Sequence, residues 1–108
     1  MMDEKLFETR ASDALKKLEA ALRDAADELD ADLAGAILTL EFEDGAKFII
    51  NSHAAAQQIW LSANLSAMHF GWHESTSSWR DTRSGAELFT HIGQIVSEKL
   101  AQPVKLVS

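Results

Sequence analysis

The sequence contains no cysteine, and this absence excludes several kinds of site. The chain cannot form a disulfide, use a thiolate nucleophile or hold zinc or an iron–sulfur cluster through cysteine, so any metal must use carboxylate or imidazole ligands. No apolar run approaches the roughly 20 residues that cross a bilayer. From the acidic start Met1-Met2-Asp3-Glu4-Lys5 we expect no secretory leader. We therefore expect a soluble, cytoplasmic protein without a membrane partner.

Basic residues are scarce in the first half of the chain. Residues 1–44 hold 13 acids against 5 bases, whereas residues 45–108 hold 4 acids against 5 bases, and the formal net charge is −7. Eight acids and no lysine or arginine lie between Asp24 and Ala46. A field of this sign repels nucleic acid and attracts cations and basic protein surfaces. We therefore expect a cation or a basic protein as partner, and no nucleic acid.

An apolar stripe with helical spacing runs from about Asp3 to Ala26. Neither glycine nor proline interrupts this alanine-rich segment, which favours a helix. The stripe consists of Phe7, Ala11, Leu15, Leu18, Leu22 and Ala25.

Alternating apolar residues predict strands between this helix and residue 81. The expected strands are Leu29–Leu33 at a sheet edge, Ile37–Glu43, a strand after the Asp44-Gly45 turn, Gln57–Ser62, Met68–Trp72 and Ser77–Asp81.

The register after the Asp44-Gly45 turn has two alternatives. A two-residue turn would align Lys47 and Ile49 with the buried face, and a three-residue turn with a glycine bulge would align Phe48 and Ile50 instead. We prefer the second register because it keeps Lys47 in water.

Three tryptophans differ in their expected positions. In the strand Gln57–Ser62, alternation places Ile59 inward and Trp60 outward, unless the register is slipped and buries Trp60. We expect Trp72 and Trp79 to be core or half-buried residues.

A second helix is expected near the end of the chain. Ser84-Gly85-Ala86-Glu87 has the spacing of a capping box, in which Ser84 caps the helix and Glu87 reaches back. Pro103 ends the helix, and an apolar tail, Val104–Val107, is expected to pack on the domain. The buried stripe of this helix is Leu88, Ile92, Ile95 and Val96.

This order of elements predicts the fold class. A helix, five or six antiparallel strands and a helix make an α+β fold, a two-layer α/β sandwich with both helices on one face of the sheet. The other sheet face stays open to solvent. The length fits a single domain spanning residues 1–108.

Several of these segments resemble the frataxin family, in particular its bacterial CyaY branch. The resemblance is carried by Ile37–Gly45, by Ile49-Ile50-Asn51 and by Gln58–Ser62, and it continues in order through His69-Phe70, Trp79 and Arg83-Ser84-Gly85. It covers nearly the whole chain. The chain departs from the family at Arg23, where related bacterial chains tend to carry an acid, and at Thr82, where an acid usually precedes the arginine.

The resemblance implies a function. It implies an iron-binding protein of iron–sulfur cluster assembly, which docks on the cysteine desulfurase–scaffold complex and regulates it or supplies iron. The iron, Fe2+ or Fe3+, would be held weakly at surface carboxylates, which also suit other divalent cations. A monomer is expected, with iron-dependent oligomers left open.

The resemblance also implies two sets of site residues. The metal-binding set, called the acidic ridge below, consists of Glu19, Asp24, Asp27, Glu28, Asp30, Asp32, Glu41, Glu43 and Asp44. The partner-binding set consists of Asn51, Gln58 and Trp60 with Asp24, Asp27 and Glu28.

Simpler interpretations compete with these assignments. From composition alone, the acids form a solvated face, and the chain is then a metal-independent acidic adaptor for a basic protein. The four histidines lack metal-binding spacing. An enzyme is not expected, because no Ser-His-Asp order, phosphate loop or buried carboxylate pair is present. A weak ferroxidase would need a paired-iron centre, and the sequence has no such motif.

Overall fold

Two helices flank six strands in the part of the chain that the structure describes, residues 2–64 and 66–107. This structure is a computed structural model. The elements are α1 Glu4–Ala25, β1 Leu29–Ala34, β2 Ile37–Phe42, β3 Lys47–His53, β4 Gln58–Ala63, β5 Ser66–His73, a single 3-10 turn Glu74–Thr76, β6 Ser78–Asp81 and α2 Leu88–Leu100. The predicted order of elements is confirmed.

Helix α1 begins at a side-chain cap and buries the predicted stripe. The Asp3 carboxylate accepts the Leu6 backbone N–H at 2.8 Å, which satisfies one of the free amides of the first turn. One member of the stripe is wrong: Ala25 is exposed and Ala26 is buried instead. The helix ends at Ala25, and the extended backbone of Ala26 takes that residue out of the helical phase.

The strands form one antiparallel sheet in the order β1-β2-β3-β4-β5-β6. Consecutive strands are neighbours, and β1 is an edge strand as predicted, extending to Ala34. The start of β4 corrects an expectation. Gln57 lies in the preceding turn with a φ of 53°, an angle that no residue of an extended strand adopts. Strand β4 therefore begins at Gln58.

The β2–β3 turn has the preferred register. Phe42 and Ala46 bracket a three-residue turn in which Gly45 has a φ of 88°, a conformation that favours glycine. Leu40 therefore pairs with Phe48 and both side chains are buried, whereas Lys47 is exposed. The predicted glycine bulge register is confirmed.

Helix α2 begins later than the capping box predicted. The Glu87 carboxylate caps the helix itself, accepting the N–H groups of Phe89 at 2.9 Å and Thr90 at 3.0 Å. Ser84 instead bonds back to Asp81. The capping-box prediction is wrong because Gly85, with a φ of 77°, holds residues before Glu87 outside the helix.

The C-terminal tail packs on α2, as predicted. Val104 and Leu106 are buried, and the Ser97 hydroxyl donates to the Val104 carbonyl and accepts its N–H. A Cβ at Gly93 would lie 3.2 Å from the Val104 oxygen. Glycine at this position therefore allows the tail to approach the helix closely.

Both helices contribute to one buried cluster on one face of the sheet, which makes the predicted two-layer sandwich. Trp79 is buried and Trp72 is half-buried against it, with ring centroids 5.4 Å apart, as expected for both residues. The opposite sheet face is open. Within the described residues, neither helix is long and apolar enough to cross a membrane, and the cytoplasmic location stays a prediction.

Candidate docking and metal-binding surfaces

The acidic ridge follows the chain from the end of α1 to the edge of the sheet. Asp24 lies in the last turn of α1, Asp27 and Glu28 lie in the connection, and Asp30 and Asp32 lie on β1. All five side chains are exposed. Since Asp30 and Asp32 are two residues apart in a strand, both project to the open face of the sheet.

The remaining acids of β2 and its turn extend this surface. Glu41 lies directly opposite Asp30 on the neighbouring strand, and on its other side it faces Lys47 of β3. Glu43 and Asp44 lie in the β2–β3 turn and are exposed. Like charges that face one another across two strands destabilise the pair. Repulsion between Asp30 and Glu41 therefore destabilises the fold, and a bound cation would reduce this repulsion.

Glu19 is committed to a structural contact. Its carboxylate accepts the Leu33 N–H at 2.9 Å and lies 3.4 Å from the Arg23 guanidinium. Arg23 in turn donates to the Ala31 carbonyl from Nε at 3.2 Å and from Nη2 at 3.0 Å. The two side chains thus join α1 to the outer side of β1. Glu19 is the ridge acid least available to a metal ion.

Two other ridge acids also have partners. The Asp44 carboxylate receives the Lys99 ammonium at 2.5 Å and the Ala46 N–H at 3.0 Å. The hydrogen bond from Lys99, followed by that from Ala46, lowers the pKa of Asp44 below its ordinary value. Glu28 accepts a hydrogen bond from the Gln102 amide at 2.5 Å. Both contacts connect the ridge to the end of α2.

The other six acids of the ridge have no ion-pair partner within the described residues. They are Asp24, Asp27, Asp30, Asp32, Glu41 and Glu43. In the same part of the chain, no group of three or more Asp, Glu or His side chains is gathered closely enough to hold a metal ion. The donor set therefore fits a hard cation bound loosely at exposed oxygen atoms, and it does not fit a resident metal centre.

Trp60 projects outward from β4, as predicted, and two histidines cover its ring. The His53 ring stacks on one side at 3.9 Å and 8°, and the His69 ring stacks at 4.5 Å and 16°. The indole N–H donates to the Gln58 side-chain oxygen at 2.9 Å. A half-buried tryptophan held upright in this way presents an edge, rather than a freely rotating ring, to a partner.

A wider patch surrounds this stack on the open face. Asn51 lies directly opposite Trp60 on β3, and Ile37 lies opposite Asn51 on β2. Ile37 is 48% exposed and Ile49 is 38% exposed, large values for isoleucine in a sheet. Together these residues form the open-face patch: Ile37, Ile49, Asn51, His53, Gln58, Trp60 and His69.

Sequence reasoning found only part of this patch. It assigned Asn51, Gln58 and Trp60, and of the histidines it noted only that they lack metal-binding spacing. The register of β3, β4 and β5 contains the signal, because His69 is directly opposite Trp60 and His53 is opposite Gln58. That register depends on turn lengths, which local alternation does not determine.

The acidic ridge and the open-face patch lie on one continuous surface. Asp32 pairs with Thr39 and Thr39 pairs with Ile49, so an acid of the edge strand shares a row with the patch. The next row runs from Ala34 through Ile37 to Asn51 and then to Trp60. With strands about 4.8 Å apart, a single partner can contact both.

A different acid organises the corner after β6, where the Arg83-Ser84-Gly85 motif lies. The buried Asp81 carboxylate accepts the Arg83 N–H at 3.1 Å, the Ser84 N–H at 2.7 Å and the Ser84 hydroxyl at 2.9 Å. Burial by itself would raise the pKa of Asp81, but these hydrogen bonds outweigh it and the pKa is lowered. The motif therefore forms a structural corner.

The family model described as the frataxin-like domain matches residues 1–102. The chain belongs to this family. The iron-sulfur cluster assembly protein CyaY of Dechloromonas aromatica is 38% identical over 106 residues, covering 97% of this chain and 99% of that protein. The frataxin of Psychromonas ingrahamii superposes with a TM-score of 0.91 at 28% identity, covering 99% of this chain and 100% of that one.

A more distant frataxin shares the fold alone. The trimeric yeast frataxin complexed with ferrous iron has a TM-score of 0.60 at 23% identity, covering 94% of this chain and 88% of that one. Together with the Psychromonas protein, it confirms the frataxin fold that the sequence predicted: two helices packed on one antiparallel sheet.

Proposed function

We propose that this chain acts in iron–sulfur cluster assembly by docking on the cysteine desulfurase complex, which it regulates or supplies with iron. The observation that carries the proposal is the continuous surface formed by the acidic ridge and the open-face patch. Membership of the frataxin-like family, together with the assembly role named for its bacterial relative, supports the same conclusion.

Charge supports a basic partner. Six ridge acids lack an ion-pair partner in the described residues, so their field is not neutralised within this part of the chain. Such a field accelerates encounter with a basic surface and selects against acidic ones. Because the acids lie along an edge and not around a pocket, they fit an extended basic surface, as expected for a protein partner.

The open-face patch supports specific contact. Partly buried tryptophan is enriched among residues whose loss weakens an interface most, and rigid aromatic anchors lose little conformational entropy on binding. Trp60 is already fixed by two stacked rings and by the hydrogen bond to Gln58. The patch therefore provides a preorganised centre, with the ridge as its charged border.

Iron is proposed as cargo held at the ridge and not as a resident cofactor. Exposed carboxylates suit hard cations, and the opposed pair Asp30 and Glu41 would gain most from a bound cation. The ferrous complex of the yeast frataxin supports iron as the relevant metal. Weak, overlapping sites are expected because each acid contributes separately.

We propose a non-enzymatic role. Ferroxidase centres hold paired irons between carboxylates and histidines that project into a bundle core. All ridge acids except the half-buried Glu19 are instead exposed, and the stacked histidines of the open-face patch belong to another part of the surface. Addition of the protein should leave the rate of iron(II) oxidation by oxygen unchanged, and a turnover-dependent increase would contradict this role.

Residue-resolved amide titrations test the proposal. Anaerobic iron(II) should shift or broaden the signals of Asp24, Asp27, Asp30 and Asp32, whereas the desulfurase should affect those signals and also the Trp60 indole N–H. Response to the desulfurase without any response to iron would favour a metal-independent adaptor. If neither addition changes these signals, the proposal is wrong.

Substitution of Trp60 gives a second test. Trp60→Ala should weaken binding of the desulfurase complex by about 30-fold, the equivalent of roughly 2 kcal/mol at an interface centre. Ser62→Ala, at an exposed position of the same strand and face, should change binding little. Equal affinities for the two variants would exclude the open-face patch from the contact.

A further inference from the structure

The edge strand β1 has a palindromic sequence. Residues 29–33 read Leu-Asp-Ala-Asp-Leu, the same in both directions. If two copies of this strand run antiparallel about Ala31, leucine lies opposite leucine, aspartate opposite aspartate and alanine opposite alanine. A two-fold symmetric contact requires this kind of self-complementary surface.

The main-chain groups of β1 that point away from β2 belong to its odd-numbered residues. The Ala31 carbonyl accepts from Arg23 and the Leu33 N–H donates to Glu19, so both groups point away from β2. In an antiparallel ladder such groups can pair with another strand. Here two side chains of α1 occupy two of these groups, the Ala31 carbonyl and the Leu33 N–H.

We propose that β1 is a masked self-pairing edge: two copies of this chain can join their six-stranded sheets about a two-fold axis at Ala31, but only when Glu19 and Arg23 no longer cover the strand and its aspartates no longer repel each other. Two features prevent this pairing in the free chain. The first is the cover that Glu19 and Arg23 provide over the main chain, and the second is charge repulsion between the aspartates of the two strands.

The side chains on the two faces of this contact behave differently. On the helix side, Leu29 would meet Leu33 of the second copy, and Ala31 would meet its equivalent, so apolar groups match. On the open side, Asp30 would meet Asp32 of the second copy. Because the odd-numbered residues make the hydrogen bonds, the aspartates fall in the closer, non-hydrogen-bonded positions, where like charges repel most.

The contact is therefore conditional on charge. The two strands stay apart while the aspartates are ionised and Glu19 and Arg23 cover the main chain. They pair when the charges and the cover are both removed. Glu41, opposite Asp30 in the same row, adds a third carboxylate on each side, and Lys47 on the far side of Glu41 offsets part of that added charge. This inference does not depend on the proposed function, because it concerns the chain and its own copy without iron.

Four forms of the chain test the proposal, all in the presence of a metal chelator. They are the wild type, Glu19→Ala with Arg23→Ala, Asp30→Asn with Asp32→Asn, and the combination of all four substitutions. The wild type should have a mass of 11.9 kDa at every concentration, and the combined variant should reach twice that value. Light scattering after size exclusion measures both.

Hydrogen exchange shows where the association occurs. In the combined variant, exchange of the Ala31 and Leu33 amides should slow as protein concentration rises, and exchange of amides on β6 should not. A control that replaces Glu8 and Lys16 by alanine removes the same charges from exposed positions of α1. This control should stay monomeric.

Three results would overturn the proposal. The first is a combined variant that folds and stays monomeric, and the second is a dimer in which the Ala31 and Leu33 amides exchange at rates independent of concentration. The third concerns the variant Asp30→Asn with Asp32→Asn, which leaves α1 intact and is decisive if the substitutions in α1 prevent folding. If this variant associates no more strongly than the wild type, the self-pairing edge is rejected.

Discussion

The outward main-chain groups at the two edges of the sheet are covered in different ways. At β1, the charged side chains of Glu19 and Arg23 reach across from α1 and bond to the free main-chain groups. At β6, the chain covers its own edge: the Asp81 N–H donates to the Ala86 carbonyl at 2.9 Å, and the buried Asp81 carboxylate fixes the corner. One cover consists of movable side chains and the other of main chain.

This difference follows the distribution of charge along the sequence. The edge at β1 lies in the acidic first half of the chain, next to ridge acids without ion-pair partners among the described residues. The edge at β6 lies in the balanced second half. The surface proposed to meet cations and a basic partner thus lies at the edge covered by side chains, and the corner formed by main chain lies away from it.

The largest effect on stability is expected at the β6 corner. Asp81→Ala should lower the free energy of unfolding by about 2 kcal/mol, because a buried carboxylate with three hydrogen bonds is lost and two N–H groups lose their acceptor. Chemical denaturation measures the change. Asp13→Ala, at an exposed position of α1, should change it by less than about 0.5 kcal/mol. Equal losses would remove the distinction between the two edges.

A smaller effect is expected at the β1 edge. Glu19→Ala should cost about 1 kcal/mol, because the lost carboxylate is only half-buried and a single backbone N–H, that of Leu33, loses its acceptor. Amide exchange at Leu33 should become faster while exchange on β6 stays the same. A loss as large as that of Asp81→Ala would show that the side-chain cover is as important to the fold as the main-chain corner.

Acid should act on the β6 corner through Asp81. The folded pKa of Asp81 is lower than its ordinary value, so its stabilisation is complete above about pH 4 and is lost as the pH falls through the folded pKa. Between neutral pH and pH 3, the wild type should therefore lose more stability than Asp81→Asn. Parallel pH profiles for the two proteins would contradict the assignment of this acid to the corner.

Salt should act on the acidic ridge. Added sodium chloride or millimolar divalent cations should raise the melting temperature by about 3 °C, since they reduce repulsion among the exposed carboxylates. A variant with Asp24→Asn, Asp27→Asn and Glu28→Gln should melt higher at low salt and respond less to its addition. If the melting temperature of the wild type does not respond to salt or to divalent cations, repulsion within the acidic ridge does not destabilise the fold.

The sequence predicted the layers and most of the register. The period of the stripe in α1, the alternation around Trp60 and the glycine of the β2–β3 turn are local signals, and the structure follows them. The main error was the capping box at Ser84. Local spacing favoured a helix start there, but the Asp81 carboxylate binds Ser84 and delays the helix until Leu88.

The candidate site was less accessible to sequence reasoning. The acids could be counted, but their engagement could not, because the contacts of Glu19 with Leu33 and of Asp44 with Lys99 join residues far apart in the chain. The stack of His53, Trp60 and His69 depends on three strands in register. Such contacts arise from tertiary packing, for which a single strand carries no periodic signal.

Binding of the cysteine desulfurase to a charge-reversed chain tests the central claim most directly. Lysine replaces Asp24, Asp27 and Glu28 in one variant, and it replaces the exposed acids Glu8, Asp13 and Glu98 in a matched control with the same net charge. The first variant should fail to retain the desulfurase in a pull-down at physiological salt, and the control should retain it. Undiminished capture by the first variant, or equal loss in both, would contradict docking through the acidic ridge.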